Sequence, residues 1–342
     1  MHHNPLISVI IPNYNHALFL KQRIDTVLNQ TFQDFEVIIL DDCSTDSSRE
    51  IIEQYRGHSK ISNIIFNDKN SGGVFKQWIK GIEIAKGDYV WIAESDDYAS
   101  ANFLEETLKI IENDLSLGMV FTNTNSVNRE GKFITTTAES KAAIYVELTT
   151  HKNIINKENA SLFLISEMII ENASSVLFRK SSLLSVNFSE LEKFFNTGDR
   201  FVYIGIALNA SVYFLSKPLN FMRLHQNNTT KKSYENGNIH KDRLRVLNYY
   251  FDQLYGSVKN RKIPVLFYKN NYLNFITHGN YDDNISYLNK LKKNNEVEST
   301  FYYLVKFYLY LFRKAEIKSK ILRSIYYRTL VVQNHFNKDY QK

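Results

Sequence analysis

The first hundred residues alternate between short apolar runs and stretches of helical spacing. Leu6-Ile7-Ser8-Val9-Ile10-Ile11 is rich in β-branched residues and stops at Pro12, as a buried strand does. Ala17 to Asn29 then places Leu20, Ile24, Val27 and Leu28 on one helical face. Phe35 to Leu40 is a second apolar run and leads into Asp41-Asp42. Ser47 to Tyr55 reads as helix, Ile61 to Phe66 as a third strand, and Phe75 to Ala85 as a helix stopped by Gly87. Tyr89 to Ala93 is a fourth strand, running into Glu94-Ser95-Asp96-Asp97, and Ala101 to Asn113 is a further helix.

This alternation predicts parallel strands joined by right-handed helical crossovers. Ligands of such sheets bind beyond the carboxyl ends of the strands. The polar clusters Pro12 to Asn15, Asp41 to Asp46 and Glu94 to Asp97 all fall there. Further on, Met119 to Thr122, Ser175 to Phe178 and Val212 to Leu215 read as strands, and Arg200 to Ala210 as helix. From about residue 235 the composition shifts to Lys, Asn, Tyr and Leu with helical spacing. The expected organisation is two halves of an α/β domain, 1–115 and 116–232, followed by a helical C-terminal appendage over 233–342.

The 342 residues are 44% hydrophobic and 23% charged, ordinary globular proportions that argue against a disordered or fibrous chain. The net charge of +6 suits an anionic partner: nucleic acid, anionic lipid or a nucleotide-linked substrate. Cys43 is the one cysteine, so no intrachain disulfide forms and a reducing compartment is favoured. The start lacks the pattern of a signal peptide, and no run reaches the ~18 apolar residues that span a bilayer. A cytoplasmic location is expected. Zinc, dinucleotide and phosphate-loop motifs are absent from the sequence.

Paired carboxylates at strand ends are costly unless a cation or donors satisfy them. Asp41-Asp42 and Asp96-Asp97 are such pairs. They fit a hard divalent metal that takes one or two carboxylates plus substrate phosphates, or else solvated turns with helix-capping aspartates.

Ser8-Val9-Ile10-Ile11-Pro12-Asn13-Tyr14-Asn15 resembles the opening motif of family 2 glycosyltransferases, which have the GT-A fold. Asp41-Asp42-Cys43-Ser44-Thr45-Asp46-Ser47-Ser48, Asn70-Ser71-Gly72-Gly73, Ala85-Lys86-Gly87-Asp88-Tyr89-Val90 and Ser95-Asp96-Asp97 follow in that family's order. The resemblance implies a Rossmann-like, mostly parallel sheet flanked by helices. It implies that Pro12, Tyr14 and Asp42 line a nucleoside pocket, Tyr14 by stacking and Asp42 by accepting from a base N–H. Asn15, Asp41 and Gly72 join that donor side. Lys76 either replaces an arginine the family commonly carries there or is a solvated helix residue. Asp96 is expected at the ribose or the metal, and Asp97 at Mn²⁺ or Mg²⁺ on the diphosphate. Glu94 stands where the family often has the first Asp of its acidic motif.

Thr197-Gly198-Asp199-Arg200 resembles the catalytic-base motif, with Gly198 in place of the usual acidic residue and Asp199 as the base. Arg223-Leu224-His225 resembles the closing motif near the leaving diphosphate, with His225 also a metal ligand. Asn172 and Ser174 lie in a segment resembling the acceptor side. The expected activity is inverting transfer from a nucleotide-diphosphate sugar, a UDP-sugar favoured, to a glycan or lipid-linked acceptor in bacterial surface polysaccharide assembly. The rivals are a degenerate sugar-nucleotide binder of the same fold, a nucleotidyltransferase, and a basic nucleic-acid-binding protein. The carboxylate clusters weigh against a nucleic-acid partner, and the loop after the first strand lacks the glycines a triphosphate needs. Lys314, Lys318, Lys320, Arg323 and Arg328 lie among Ile317, Ile321, Leu322 and Ile325. That tail either packs as an ordinary helix or touches the inner face of an anionic membrane.

Overall fold

A computed structural model describes residues 4–142, 145, 153–156, 164, 169–225, 233, 238–256, 268, 275, 281–294, 297 and 299–314. Ten strands form one sheet. They are β1 (Ile7–Asn13), β2 (Phe35–Asp41), β3 (Ile61–Phe66), β4 (Tyr89–Ile92), β5 (Tyr98–Ala99), β6 (Leu117–Val127), β7 (Phe133–Thr136), β8 (Ile154–Ile155), β9 (Val176–Arg179) and β10 (Ser211–Arg223). Their order is β3-β2-β1-β4-β9-β6-β10-β5, with β7 beside β6 and β8 beside β10. The first four pair in parallel, as their crossovers require. β9 runs antiparallel between β4 and β6.

Helices cover both faces. Ile7, Val9 and Ile11 share one apolar layer with α1 (Ala17–Leu28), with Ile52 of α2 (Ser48–Glu53) and with α4 (Phe103–Asn113). The alternate residue Ile10 meets the other side. There Gly81 of α3 (Val74–Ile84) approaches so closely that a Cβ would lie 2.5 Å from the Ile10 side chain. Short helices α5 (Thr137–Ser140), α6 (Lys180–Leu183) and α7 (Phe188–Leu191) precede α8 (Gly198–Ala207). Tyr203 of α8 stacks on Phe178 of β9 at 6.1 Å.

Two strands run longer than their apolar runs suggest. β6 continues through Asn123, Thr124 and Asn125, and β10 through Asn220, because these polar residues are buried and two side-chain bonds cross the pair. Asn125 Nδ2 donates to the Pro218 carbonyl at 3.1 Å and Asn220 Nδ2 to Thr124 Oγ1 at 3.3 Å.

The chain divides into two compact units, residues 1–269 and 270–342. Helix α9 (Asn238–Gly256) therefore belongs to the first unit, later than a boundary near residue 233. Its Tyr250 hydroxyl donates to the Phe201 carbonyl at 3.0 Å. The second unit contains α10 (Tyr281–Lys293) and α11 (Ser299–Lys314), where Tyr302 Oη donates to Asn289 Oδ1 at 2.9 Å. Among the described residues, no helix is long and apolar enough to cross a membrane. The basic tail beyond Lys314 lies outside the described residues.

Candidate active site

A cleft of about 1280 Å³ opens at the carboxyl ends of β1, β2 and β4. That exceeds the ~300–1,000 Å³ of ordinary small-molecule pockets and gives room for two substrates. Nine of the residues read from sequence line it: Pro12, Tyr14, Asn15, Asp42, Gly72, Asp96, Asn172, Asp199 and His225.

The loops after β1 and β2 are tied together. Asn15 adopts φ 56°, a left-handed conformation asparagine tolerates. Its Oδ1 accepts from the Thr45 N–H at 2.7 Å, and its own N–H donates to Ser44 Oγ at 2.9 Å. Tyr14 is thereby held at the mouth, 47% exposed. Asp42 lies deeper. Its Oδ1 accepts from Asn67 Nδ2 (2.7 Å), the Ser71 N–H (2.9 Å) and Gln77 Nε2 (3.0 Å), and its Oδ2 from Ser71 Oγ (2.8 Å). A carboxylate has about four lone-pair sites, two per oxygen, so Oδ2 keeps accepting capacity toward the cleft.

Asp96 and His225 meet at 3.0 Å, Nε2 to Oδ2. His16 completes the group, since ligand atoms of His16, Asp96 and His225 all lie within 4.8 Å of one another. A hydrogen bond between His16 Nδ1 and Ser95 Oγ (2.8 Å) fixes that ring. Burial opposes ionisation of Asp96, yet the hydrogen bond from His225 and the nearby histidine rings hold its carboxyl below the ordinary range.

Asp97, read as the metal ligand, faces away from the cleft. It is 2% exposed, and its oxygens accept from Asn172 Nδ2 (2.7 Å), Ser174 Oγ (2.8 Å) and the Arg223 N–H (3.1 Å). Burial and the neighbouring Asp96 push its carboxyl up to about 6. Beneath it lies Arg23, fully buried, with Nη2 4.0 Å from Asp97 Oδ2 and Nε donating to the Glu94 carbonyl at 2.8 Å. Burial lowers this guanidinium to about 10, which leaves it charged at neutral pH. Glu94 lines the cleft, where Trp78 Nε1 donates to its Oε1 at 3.0 Å. Burial, then Asp96 and Asp97, raise its carboxyl to about 8.

Four other expected contacts are committed elsewhere. Asp41 is fully buried and accepts from Asn13 Nδ2 (2.8 Å), the Ser44 N–H (3.0 Å) and Arg49 Nε (3.2 Å). Lys76 is exposed and donates to the Ser71 carbonyl at 2.9 Å. Ser174 is buried between Asp97 and the Glu94 N–H. Arg223 lies over the Phe19 and Tyr98 rings at 4.7 and 5.3 Å. Its guanidinium donates to the Asp96 and Arg129 carbonyls (3.1 and 2.7 Å) and to Gln22 Oε1 (2.7 Å), so it braces loops behind the cleft. Asn172 reaches the cleft wall, but its amide is spent on Asp97 and on Asn220, at 2.7 and 3.1 Å.

Asp199 sits in the first turn of α8 and is partly open to the cleft. Desolvation raises its carboxyl from 3.8 to about 7, against the lowering effect of the Arg200 N–H and side chain. Gly198 is explained by Phe75. A Cβ there would lie 2.7 Å from the Phe75 ring, which is itself buried and packed on Trp78 at 5.2 Å.

Sequence reasoning missed His16, Ser71, Gln77 and Trp78 as site residues. Of these, Gln77 and Trp78 directly follow Lys76, where the sequence departs from the arginine the family commonly carries, and that departure is a usable signal. His16 had none, because its partners lie some eighty and two hundred residues away in the chain.

Comparison with known proteins places the chain by sequence and by fold. Residues 34% identical over 177 positions are shared with an uncharacterized glycosyltransferase of Haemophilus influenzae, covering 51% of this chain and 66% of that protein. A chondroitin synthase of Pasteurella multocida is 36% identical over 134 residues, 39% of this chain and 14% of that protein. The chain thus spans only part of the curated relatives it matches. The crystal structure of Staphylococcus aureus TarS 1–349 with UDP-GlcNAc has the same fold, with a TM-score of 0.61, 19% identity, and coverage of 83% of this chain and 79% of that one. The model of glycosyl transferase family 2 matches residues 8–183, just over half of the sequence, and the chain belongs to that family.

Proposed function

We propose that this chain transfers a sugar from a UDP-sugar to an acceptor hydroxyl, with inversion at the anomeric carbon. One observation carries the reading: Asp42, the His16–Asp96–His225 group and Asp199 share a single cleft at the strand ends. Tyr14 offers a ring face to a nucleobase and Asp42 Oδ2 an acceptor to a base N–H. UDP-GlcNAc in the TarS structure supports a uridine donor.

Two imidazoles and a carboxylate are donors that a first-row divalent ion accepts, the carboxylate and the substrate oxygens admitting Mn²⁺, and these three residues would hold it. Bound there, the ion supplies positive charge against the diphosphate. Asp199 accepts the proton of the acceptor hydroxyl as the bond to the sugar forms. Its raised carboxyl is matched to proton transfer near neutral pH. A single displacement needs this one base and no covalent nucleophile. The acceptor we infer is a glycan or a lipid-linked saccharide, as the chondroitin synthase relative supports.

The test begins with thermal stability against UDP, GDP, CDP and TDP, each with and without Mn²⁺. A Mn²⁺-dependent rise with UDP is expected, followed by UDP release from a UDP-sugar and an inverted anomeric product by NMR. Selective response to another nucleotide overturns the uridine assignment. UDP binding with no turnover of any UDP-sugar, acceptors included, overturns transfer in favour of a binding protein.

A further inference from the structure

Helix α9 grips the segment that delivers Asp199. Asp242, in its second turn, is 2% exposed. One oxygen, Oδ2, accepts from three consecutive backbone N–H groups: Phe195 at 3.0 Å, Asn196 at 2.7 Å and Thr197 at 3.1 Å. Those amides lie just before the first turn of α8, where backbone donors have no helical partner. Burial pushes the Asp242 carboxyl up, while these three amides and Arg245 pull it down; in the ionised form its bonds to them are charge-assisted, about twice as strong as neutral ones.

The grip extends along one face of α9. Arg245 Nη1 donates to the Lys193 carbonyl at 2.8 Å, and its Nε lies 3.5 Å from Glu190 Oε1. Tyr249 Oη accepts from Asn187 Nδ2 at 3.0 Å, and Tyr250 donates to the Phe201 carbonyl at 3.0 Å. The helix therefore follows the chain from residue 187 to residue 201. Phe195 and Asn196, whose amides Asp242 holds, themselves form cleft wall.

We propose that Asp242 is a positioning residue for sugar transfer: through the amides of residues 195–197 it fixes where Asp199 stands in the cleft. The proposal rests on Asp199 being the base. It separates the two substrates' requirements. The donor side is built from loops after β1, β2 and β4, which Asp242 does not touch. The acceptor-side base is set by a helix more than forty residues downstream in the chain. Asp242 also acts on Asp199 through space, since its negative charge disfavours a second one nearby. Among the described residues, the other charged or titratable groups that act on Asp199 or on its neighbour Tyr203 are Arg200 on α8 and Glu94 after β4.

The test uses Asp242→Asn in the full chain, with UDP plus Mn²⁺ as the binding probe and UDP release from a panel of UDP-sugars as turnover. UDP affinity is expected to stay at the wild-type level, while kcat falls by about a hundredfold, as a misplaced catalytic group costs. The acid limb of the kcat profile should move to lower pH. Hydrogen exchange at the amides of 195–197 should speed up. Wild-type kcat with an unmoved acid limb overturns the proposal, and so does UDP affinity that falls in parallel with kcat. If the wild-type chain binds UDP yet turns over no UDP-sugar, the transferase reading fails by itself. Unchanged exchange at 195–197 in Asp242→Asn would then overturn the anchoring as well.

Discussion

Asp199→Asn should remove transfer and, at alkaline pH, make the protein more stable. The folded carboxyl titrates at about 7 against an ordinary value of 3.8. Burial is the main cause. Between those two pH values the unfolded chain has lost the proton and the folded chain still holds it, so folding stability falls as pH rises through this window. At ~1.4 kcal/mol per pH unit, the full gap corresponds to a ceiling of about 4 kcal/mol. The carboxyl is partly open to the cleft, and solvent screening brings the expected figure to roughly 2 kcal/mol. Asparagine has the same shape and no proton to lose. The variant should therefore match the wild type's pH trend only below about pH 4 and gain that margin by pH 8. Any fixed cost of the amide cancels when the two pH values are compared. Urea unfolding followed by tryptophan fluorescence reads the first unit specifically, because Trp78 and Trp91 both lie there, buried. A stability difference of equal size at pH 4 and pH 8 would refute the reasoning. So would near-normal transfer by the variant.

Four further outcomes follow from the cleft. Asp96→Asn and His225→Ala should each abolish the Mn²⁺-dependent part of UDP binding by calorimetry. Asp97→Ala, by contrast, should lower the urea midpoint by an amount worth ~3–5 kcal/mol, because it strips Arg23 of its counter-charge; loss of metal response with unchanged stability in Asp97→Ala would reverse the two roles. Gly198→Ala should cost about 1–3 kcal/mol from the clash with Phe75, and the loss should shrink in a Phe75→Leu background. Gln77→Leu removes a 3.0 Å donor from Asp42 and should weaken UDP binding by roughly tenfold, close to 1.5 kcal/mol; full affinity would mean that Asp42 is not at the base.

Much of the sheet was legible because its strands are buried on both faces and so read as unbroken apolar runs, while α3 and α4 carry strong apolar stripes. β6 and β10 were shortened in the reading because buried asparagines look like loop residues until their cross-strand partners are known. The same limit governs the acidic cluster. Adjacent aspartates are equivalent in a string of letters, but the chain turns after β4, so Asp96 faces the cleft and Asp97 the interior. Asp96 is the one grouped with His16 and His225, both distant in sequence. Gly198 reads as a lost acidic residue until Phe75 is seen filling the space. Asp242 carried no local signal at all, since its partners are backbone amides some forty-five residues earlier.

Arg23 gives the acidic wall a resident cation. Metal sites that organise a fold lose it to chelators, because ligand repulsion is relieved only by the ion. Here a guanidinium buried under Glu94, Asp96 and Asp97 supplies part of that relief. The fold should therefore stand without a divalent ion, so a chelator is expected to leave the urea midpoint unchanged and to remove only the Mn²⁺-dependent part of nucleotide binding.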